Sequence, residues 1–148
     1  MTDRARLEDF VAAQDAVWED VRRELAAGAK RTHWMWFVFP QVAGLGSSAA
    51  SRRWALGSLA EARRYLVHPV LGPRLKECAR LMLARADRSA LEILGSPDDL
   101  KFRSSMTLFG EAAPEEALFA EALARFFGGR RDERTLEFLR GGGRGEKC

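Results

Sequence analysis

Three features of this sequence predict an all-α fold, a single-domain array of about six to eight short-to-medium helices. Apolar residues recur at three- and four-residue spacing along most of the chain. Helix-starting and helix-stopping residues bracket those runs. Only one stretch argues for a β-strand, and no second one offers itself as a partner. The 148 residues suffice for one domain, and at this size roughly 68–70% of the unfolded surface can be buried without disulfide or metal staples.

Leu7, Phe10, Val11, Val17, Trp18, Val21 and Leu25 form the first stripe, which ends at Gly28, a good helix stop. Trp34-Met35-Trp36-Phe37-Val38-Phe39 is aromatic-rich and apolar throughout, as strands often are. A lone strand has nowhere to pair, so a short buried helix ended by Pro40 fits the chain better. Ser58 with Glu61 reads as a capping box opening a helix over Leu59 to Val67. Pro69 can start the next helix, in which Leu71, Leu75, Cys78 and Met82 make one stripe. Ser89 with Glu92 repeats the capping box, and Ser96-Pro97-Asp98-Asp99 is a helix start with a cap, a proline and two acids favoured by the dipole. Pro114-Glu115-Glu116 opens a helix running to Phe127 and stopped by Gly128-Gly129. Asp132 caps a last short helix through Arg140. The helical domain is therefore expected over residues 4–140, with residues 141–148 as a flexible Gly-rich tail.

The 47% hydrophobic and 30% charged composition is that of a globular chain rather than a disordered one. No apolar run approaches a membrane span, and the charged start from Met1 to Glu8 lacks an apolar signal core. A cytoplasmic location and no membrane partner are the expectation. With 24 basic against 21 acidic residues, the net charge is only +3. The basic doublets Lys30-Arg31, Arg52-Arg53, Arg63-Arg64 and Arg130-Arg131 lack interleaved aromatics and read as solvated faces, which weighs against nucleic acid. Two cysteines and two histidines give no framework for a disulfide scaffold or a metal, and no cofactor is expected.

Gly44-Leu45-Gly46-Ser47-Ser48-Ala49 matches a dinucleotide fingerprint, but that chemistry needs a strand feeding the loop and a parallel sheet around it. Neither is present. Ser47, Ser48 or Ser51 can still cap a helix beside an anion. Cys78, on an apolar stripe, reads as a structural thiol, and His68 before Pro69 as an organiser of that turn.

Three segments place polar residues where the core pattern expects apolar ones. Gln14 interrupts the first stripe between Phe10, Val11, Val17 and Trp18, where an unpaired amide would cost about 1–3 kcal/mol. Lys30-Arg31-Thr32-His33 runs into Trp34 and Trp36, then Pro40-Gln41. Asp98 through Phe109 sets Phe102, Met106 and Phe109 on one face, with Lys101, Ser104 and Ser105 on a neighbouring one. Each residue can be satisfied locally by backbone. Together, Gln14, His33, Gln41, Lys101, Arg103, Ser104 and Ser105 can instead form a cationic, hydroxyl-rich pocket walled by Trp34 and Trp36. Such a pocket suits a small anionic or nucleotide-like ligand. Two alternatives stand beside it. One is an enzyme with His33 as general acid or base. The other is a protein–protein interaction module using an apolar patch around Trp18, Trp54 or Phe126. Neither catalysis nor oligomeric state is fixed by these residues.

The segment from Lys30 to Gln41 resembles the signature of a bacterial and fungal domain-of-unknown-function family, number 1810. Ala13-Gln14-Asp15, Gly44-Leu45-Gly46-Ser47, His68 through Leu75, and Asp98 through Phe109 agree with it, so the resemblance spans roughly Leu7 to Arg140. It implies an all-helical fold, which supports the helical choice for Trp34 to Phe39. It implies no activity. A calpastatin-like label carried by some members has no counterpart in a protease-inhibitor repeat here.

Overall fold

The computed structural model describes residues 3–85 and 87–147, with side chains described over residues 5–141 apart from Ala86. In chain order the helices are α1 (Asp3–Asp15), α2 (Trp18–Ala27), α3 (Met35–Val38), α4 (Ala49–Trp54) and α5 (Leu59–Val67). There follow α6 (Leu71–Ala84), α7 (Ala90–Leu94), α8 (Asp98–Ala112), α9 (Ala117–Phe127) and α10 (Glu133–Lys147). Cys148 lies outside the described residues. No described helix is long and apolar enough to cross a membrane.

The all-α class holds, but the expected six to eight helices is an undercount: ten are present among the described residues, seven of them with seven or more residues. Two local causes account for the difference. The first apolar stripe is not one helix, because the Val17 N–H turns to Gln14 O at 3.0 Å and the chain leaves helical geometry there (φ −128°, ψ 5°) before α2 begins. The other addition is brief. α4 has only 6 residues, too short to show apolar periodicity.

Most ends follow the side chains that mark them. Gly28 takes the left-handed conformation (φ 69°) and closes α2 with paired bonds, Gly28 N–H to Leu25 O and Ala29 N–H to Glu24 O, both 3.0 Å. Ser89 and Glu92 form the full reciprocal capping box of α7. Ser58 Oγ accepts from the Glu61 N–H, but the Glu61 carboxylate reaches one residue further back, to the Gly57 N–H at 2.7 Å. Before α6, His68 Nδ1 accepts from the Val70 and Leu71 N–H groups at 3.1 and 3.3 Å. That acceptor role puts the ring proton on Nε2, which faces Glu8 Oε2 at 2.8 Å. α8 departs from expectation: its N-cap is Pro97, without a side-chain cap from Ser96.

α8 is the central helix, packed against α5, α7, α9 and α10. Its buried residues, Phe102, Met106, Leu108 and Phe109 among them, reach almost around its circumference. Two chains of aromatic rings cross it. Phe37, Trp54, Phe10, Tyr65, Phe109 and Phe119 stack in succession at centroid spacings of 5.0 to 5.8 Å. Trp34, Phe39 and Phe102 form the other, which continues to Phe126 and Phe127. The only extended pairing among the described residues is a single parallel bridge, Val42 to Leu56. It holds the loop after α3 against the end of α4 through Leu56 N–H to Gln41 O (2.9 Å) and Ala43 N–H to Leu56 O (2.8 Å).

Two buried polar side chains fix the segment around α3. Gln14 is satisfied within the fold, its Nε2 donating to Phe37 O at 2.7 Å and to the Tyr65 hydroxyl at 3.0 Å. Glu24 is the stronger anchor. It is 4% exposed, and its carboxylate accepts from Arg31 N–H (2.8 Å), Thr32 N–H (3.0 Å), Thr32 Oγ1 (2.7 Å) and Trp34 Nε1 (2.9 Å). Burial by itself raises its pKa, but the bonds from Arg31, Thr32 and Trp34 outweigh that and hold it at about 2, below the ordinary 4.5.

Because the folded value is depressed, Glu24 stabilises the fold above about pH 4.5, and that contribution is lost as pH falls toward 2. Urea unfolding of the wild type and Glu24→Gln should therefore show a gap of about 2–3 kcal/mol at pH 7 that narrows steadily below pH 4.5. A gap independent of pH would contradict the assignment. At the α5–α6 contact, a Cβ on Gly72 would sit 2.0 Å from Leu66 O. Gly72→Ala should thus cost about 1–3 kcal/mol or more in denaturant unfolding, against the slight gain that alanine brings to an unconstrained helix.

Candidate functional site

Several cations gather beside a cavity where the start of α8 meets the loop between α3 and α4. A cleft of about 500 Å³ opens there. One wall is α8, contributing Leu100, Lys101, Arg103 and Ser104 behind Pro97. The opposite wall is Trp36, Gln41 and the loop from Leu45 through Ser48, with Ser51 of α4. Asp132 and Arg134, at the start of α10, close the end.

Local bonds position each group. Lys101 Nζ lies 3.5 Å from the Trp36 ring centroid, close enough for a direct cation–π contact. The same ammonium is 3.2 Å from Asp98 Oδ1, while Asp98 Oδ2 meets Lys30 Nζ at 3.0 Å. Lys30 in turn lies over the Trp34 ring at 5.1 Å. Asp98 therefore ties the Lys30 segment to α8 and leaves one net positive charge for the two lysines. Ser48 caps α4, its Oγ accepting from the Ser51 N–H at 3.1 Å, and Ser51 Oγ donates back to Ser48 O at 2.9 Å. Ser104 Oγ is turned to Leu100 O at 3.2 Å. Arg134 reaches across to Leu45 O at 3.3 Å.

Arg103 has an unmet donor. Its Nε is buried without a hydrogen-bond partner among the described residues, and its nearest carboxylate oxygen, Asp132 Oδ1, stands 3.7 Å from Nη2. Asp132 has other commitments: Oδ2 accepts from Thr135 N–H at 3.0 Å and Thr135 Oγ1 at 2.6 Å, the cap of α10. The Asp132 N–H donates to Thr107 Oγ1 at 2.9 Å. The cleft thus carries Lys101, Arg103 and Arg134 against the single carboxylate of Asp132.

Of the residues singled out by sequence, Trp36, Gln41, Lys101, Arg103 and Ser104 line this cleft together. Gln14 does not, being spent on Phe37 and Tyr65. Trp34 is fully buried and bonded to Glu24, a core residue rather than a wall. Ser105 is also fully buried, with a hydroxyl that has no partner among the described residues. His33 is exposed and is not one of the residues lining the cleft. The glycine-serine loop, which fails as a dinucleotide fingerprint, supplies a wall instead. Arg134 and Asp132 had no place in the sequence-based pocket; their signal was the helix-capping aspartate itself, which starts α10 and sets Arg134 of its first turn at the cleft. Glu24 was also missed, although it sits three residues after Val21 on an apolar stripe.

The other sequence candidates have structural settings. Cys78 is a buried free thiol whose pKa is pushed up by burial. Trp18, Trp36 and Trp54 are each half-buried. All four tryptophans carry a cation: Arg74 over Trp18 at 4.8 Å, Arg53 over Trp54 at 4.7 Å, and the two lysines described above. The exposed large apolar residues, Val67, Leu91 and Leu100, belong to three different helices.

Comparison with known proteins agrees with this architecture. The chain is similar to the crystal structure of the conserved hypothetical protein Rv1873 from Mycobacterium tuberculosis at 1.38 Å, with a TM-score of 0.89 and 51% identity over 90% of this chain and 96% of that one. No curated protein matches it. A family profile, described as a protein of unknown function (DUF1810), matches residues 4–139. With nearly the whole helical array inside that match, the chain belongs to the DUF1810 family.

Proposed function

We propose that this protein binds a small anionic ligand in the cleft between α8 and the loop joining α3 to α4. The observation that carries the reading is the surplus of fixed positive charge: Lys101 shares Asp98 with Lys30, and Arg103 and Arg134 face Asp132, which is already held by Thr135. Arg103 lines the cleft with no carboxylate oxygen nearer than Asp132 Oδ1 at 3.7 Å. Guanidinium donors suit a carboxylate or phosphate through paired charge-assisted bonds. Exposed Ser47 and Ser48 and half-buried Gln41 offer neutral polar contacts beside them. Trp36 contributes as a wall, with Lys101 over its ring. A flat substituent on the anion would share that edge of the cleft.

The rival readings draw less support. An enzyme with His33 as its acid or base would need that ring at the cleft, and His33 is not a lining residue. An interaction module would need a contiguous apolar face, whereas each tryptophan is covered by a cation and the exposed apolar residues are spread over three helices.

Thermal-shift screening against nucleoside monophosphates, sugar phosphates and simple carboxylates, followed by titration calorimetry, tests the proposal. At least one class should raise Tm in a concentration-dependent way. Arg103→Gln and Lys101→Gln should each weaken that ligand by about tenfold or more, since a charge-assisted bond is worth roughly 1.5–3 kcal/mol. Trp36→Phe should change the fluorescence response to ligand. A screen without any shift, or binding that survives both charge substitutions, overturns the assignment.

A further inference from the structure

A second hollow, of about 560 Å³, abuts the cleft. Arg103, Asp132 and Arg134 belong to the walls of both. Its remaining charged lining is Arg130, Arg131 and Glu133. The two cavities together are lined by Lys101, Arg103, Arg130, Arg131 and Arg134 with Asp132 and Glu133, while Asp98 pairs with Lys101 and Glu111 with Arg131 from outside the lining.

We propose that the two cavities act as one bipartite site for a condensed phosphate, a ligand carrying at least two linked phosphoryl groups. The inference rests on the anion-binding reading of the cleft and adds its substrate class. One phosphoryl group lies against Lys101 and Arg103, with the serine loop opposite. The next lies toward Arg130 and Arg131, and Arg134 serves both. Four of the five cations are guanidinium forks, which pair with phosphoryl oxygens through parallel hydrogen bonds. Their clustering costs self-repulsion that a polyanion removes more completely than a single charge does.

The partition between the cavities is made by Arg103, Asp132 and Arg134. Asp132 Oδ1 stands 3.7 Å from Arg103 Nη2, a contact without a close hydrogen bond. Arg103 Nε, buried at this shared wall, lacks an acceptor. Arg131 keeps one nitrogen on Glu111 Oε2 at 3.0 Å, and Arg130 uses Nε on Phe127 O at 3.4 Å. Those bonds orient the two guanidinium groups and leave their other nitrogens to face a ligand.

Calorimetric titration at constant ionic strength with orthophosphate, pyrophosphate and tripolyphosphate tests the inference on the intact chain. Pyrophosphate should bind at least tenfold more tightly than orthophosphate. In Arg130→Gln/Arg131→Gln that advantage should disappear, with orthophosphate affinity unchanged within about twofold. The charge-matched control Arg23→Gln/Arg80→Gln, on α2 and α6, should keep it. Orthophosphate binding that depends on Arg103, without a pyrophosphate advantage, overturns the bipartite site and leaves the single-anion reading standing. An equal loss of the advantage in the control reduces it to bulk charge and also overturns the proposal. Absence of binding by all three probes overturns the condensed-phosphate site, and the single-anion reading then falls only if the carboxylate and nucleotide arms of the thermal-shift screen are also without a shift.

Discussion

The Glu24 carboxylate is the constraint on which the placement of the α2–α3 connection depends. A buried charge is tolerable only when its lone pairs are filled, and here four donors from three residues of one short connection converge on it. The consequence is geometric. With Arg31, Thr32 and Trp34 all pinned to α2, α3 must begin at Met35, and Trp36 emerges on the side that meets α8. A hydrophobic residue at position 24 would bury as well, but it would leave the Arg31 and Thr32 N–H groups and the Trp34 indole without acceptors.

From that anchor the order of the molecule runs outward by polar links laid over an aromatic interior. Asp98 joins Lys30 to Lys101, and the Val42–Leu56 bridge fixes the loop that forms the facing wall. Asp132 docks the last helix beside Arg103. The cations over the indoles belong to the same scheme: Lys30 and Lys101 hold Asp98 between them while their ammonium groups lie against Trp34 and Trp36.

Much of this architecture was legible in the chain because its signals are local. Gly28, Ser58, Ser89 and Asp132 mark helix ends through bonds made within four residues of themselves, and all four act as their chemistry requires. The helix from Met35 to Val38 was legible by exclusion, since no strand existed to pair with it. The break at Val17 was not, because Phe10, Gln14, Val21 and Leu25 keep helical phase straight through it. At the cleft, Lys101, Arg103 and Ser104 could be grouped from their spacing on one helix, whereas Arg134 arrives from a distant helix. His33 and Trp34 show the limit of adjacency: neighbours in sequence, one points to solvent and the other is sealed in the core. Which neighbour goes inward was decided by Glu24, ten residues upstream of Trp34.

The seam between α5 and α6 has a consequence for how this chain can vary over generations. Where Gly72 meets the Leu66 carbonyl, hydrogen is the only substituent that fits. Elsewhere along α6, one aliphatic group can replace another with modest repacking. Genetic drift can therefore remodel much of the interior by small steps, while at this crossing it meets a wall, and any lineage that changes the residue must first move two helices apart.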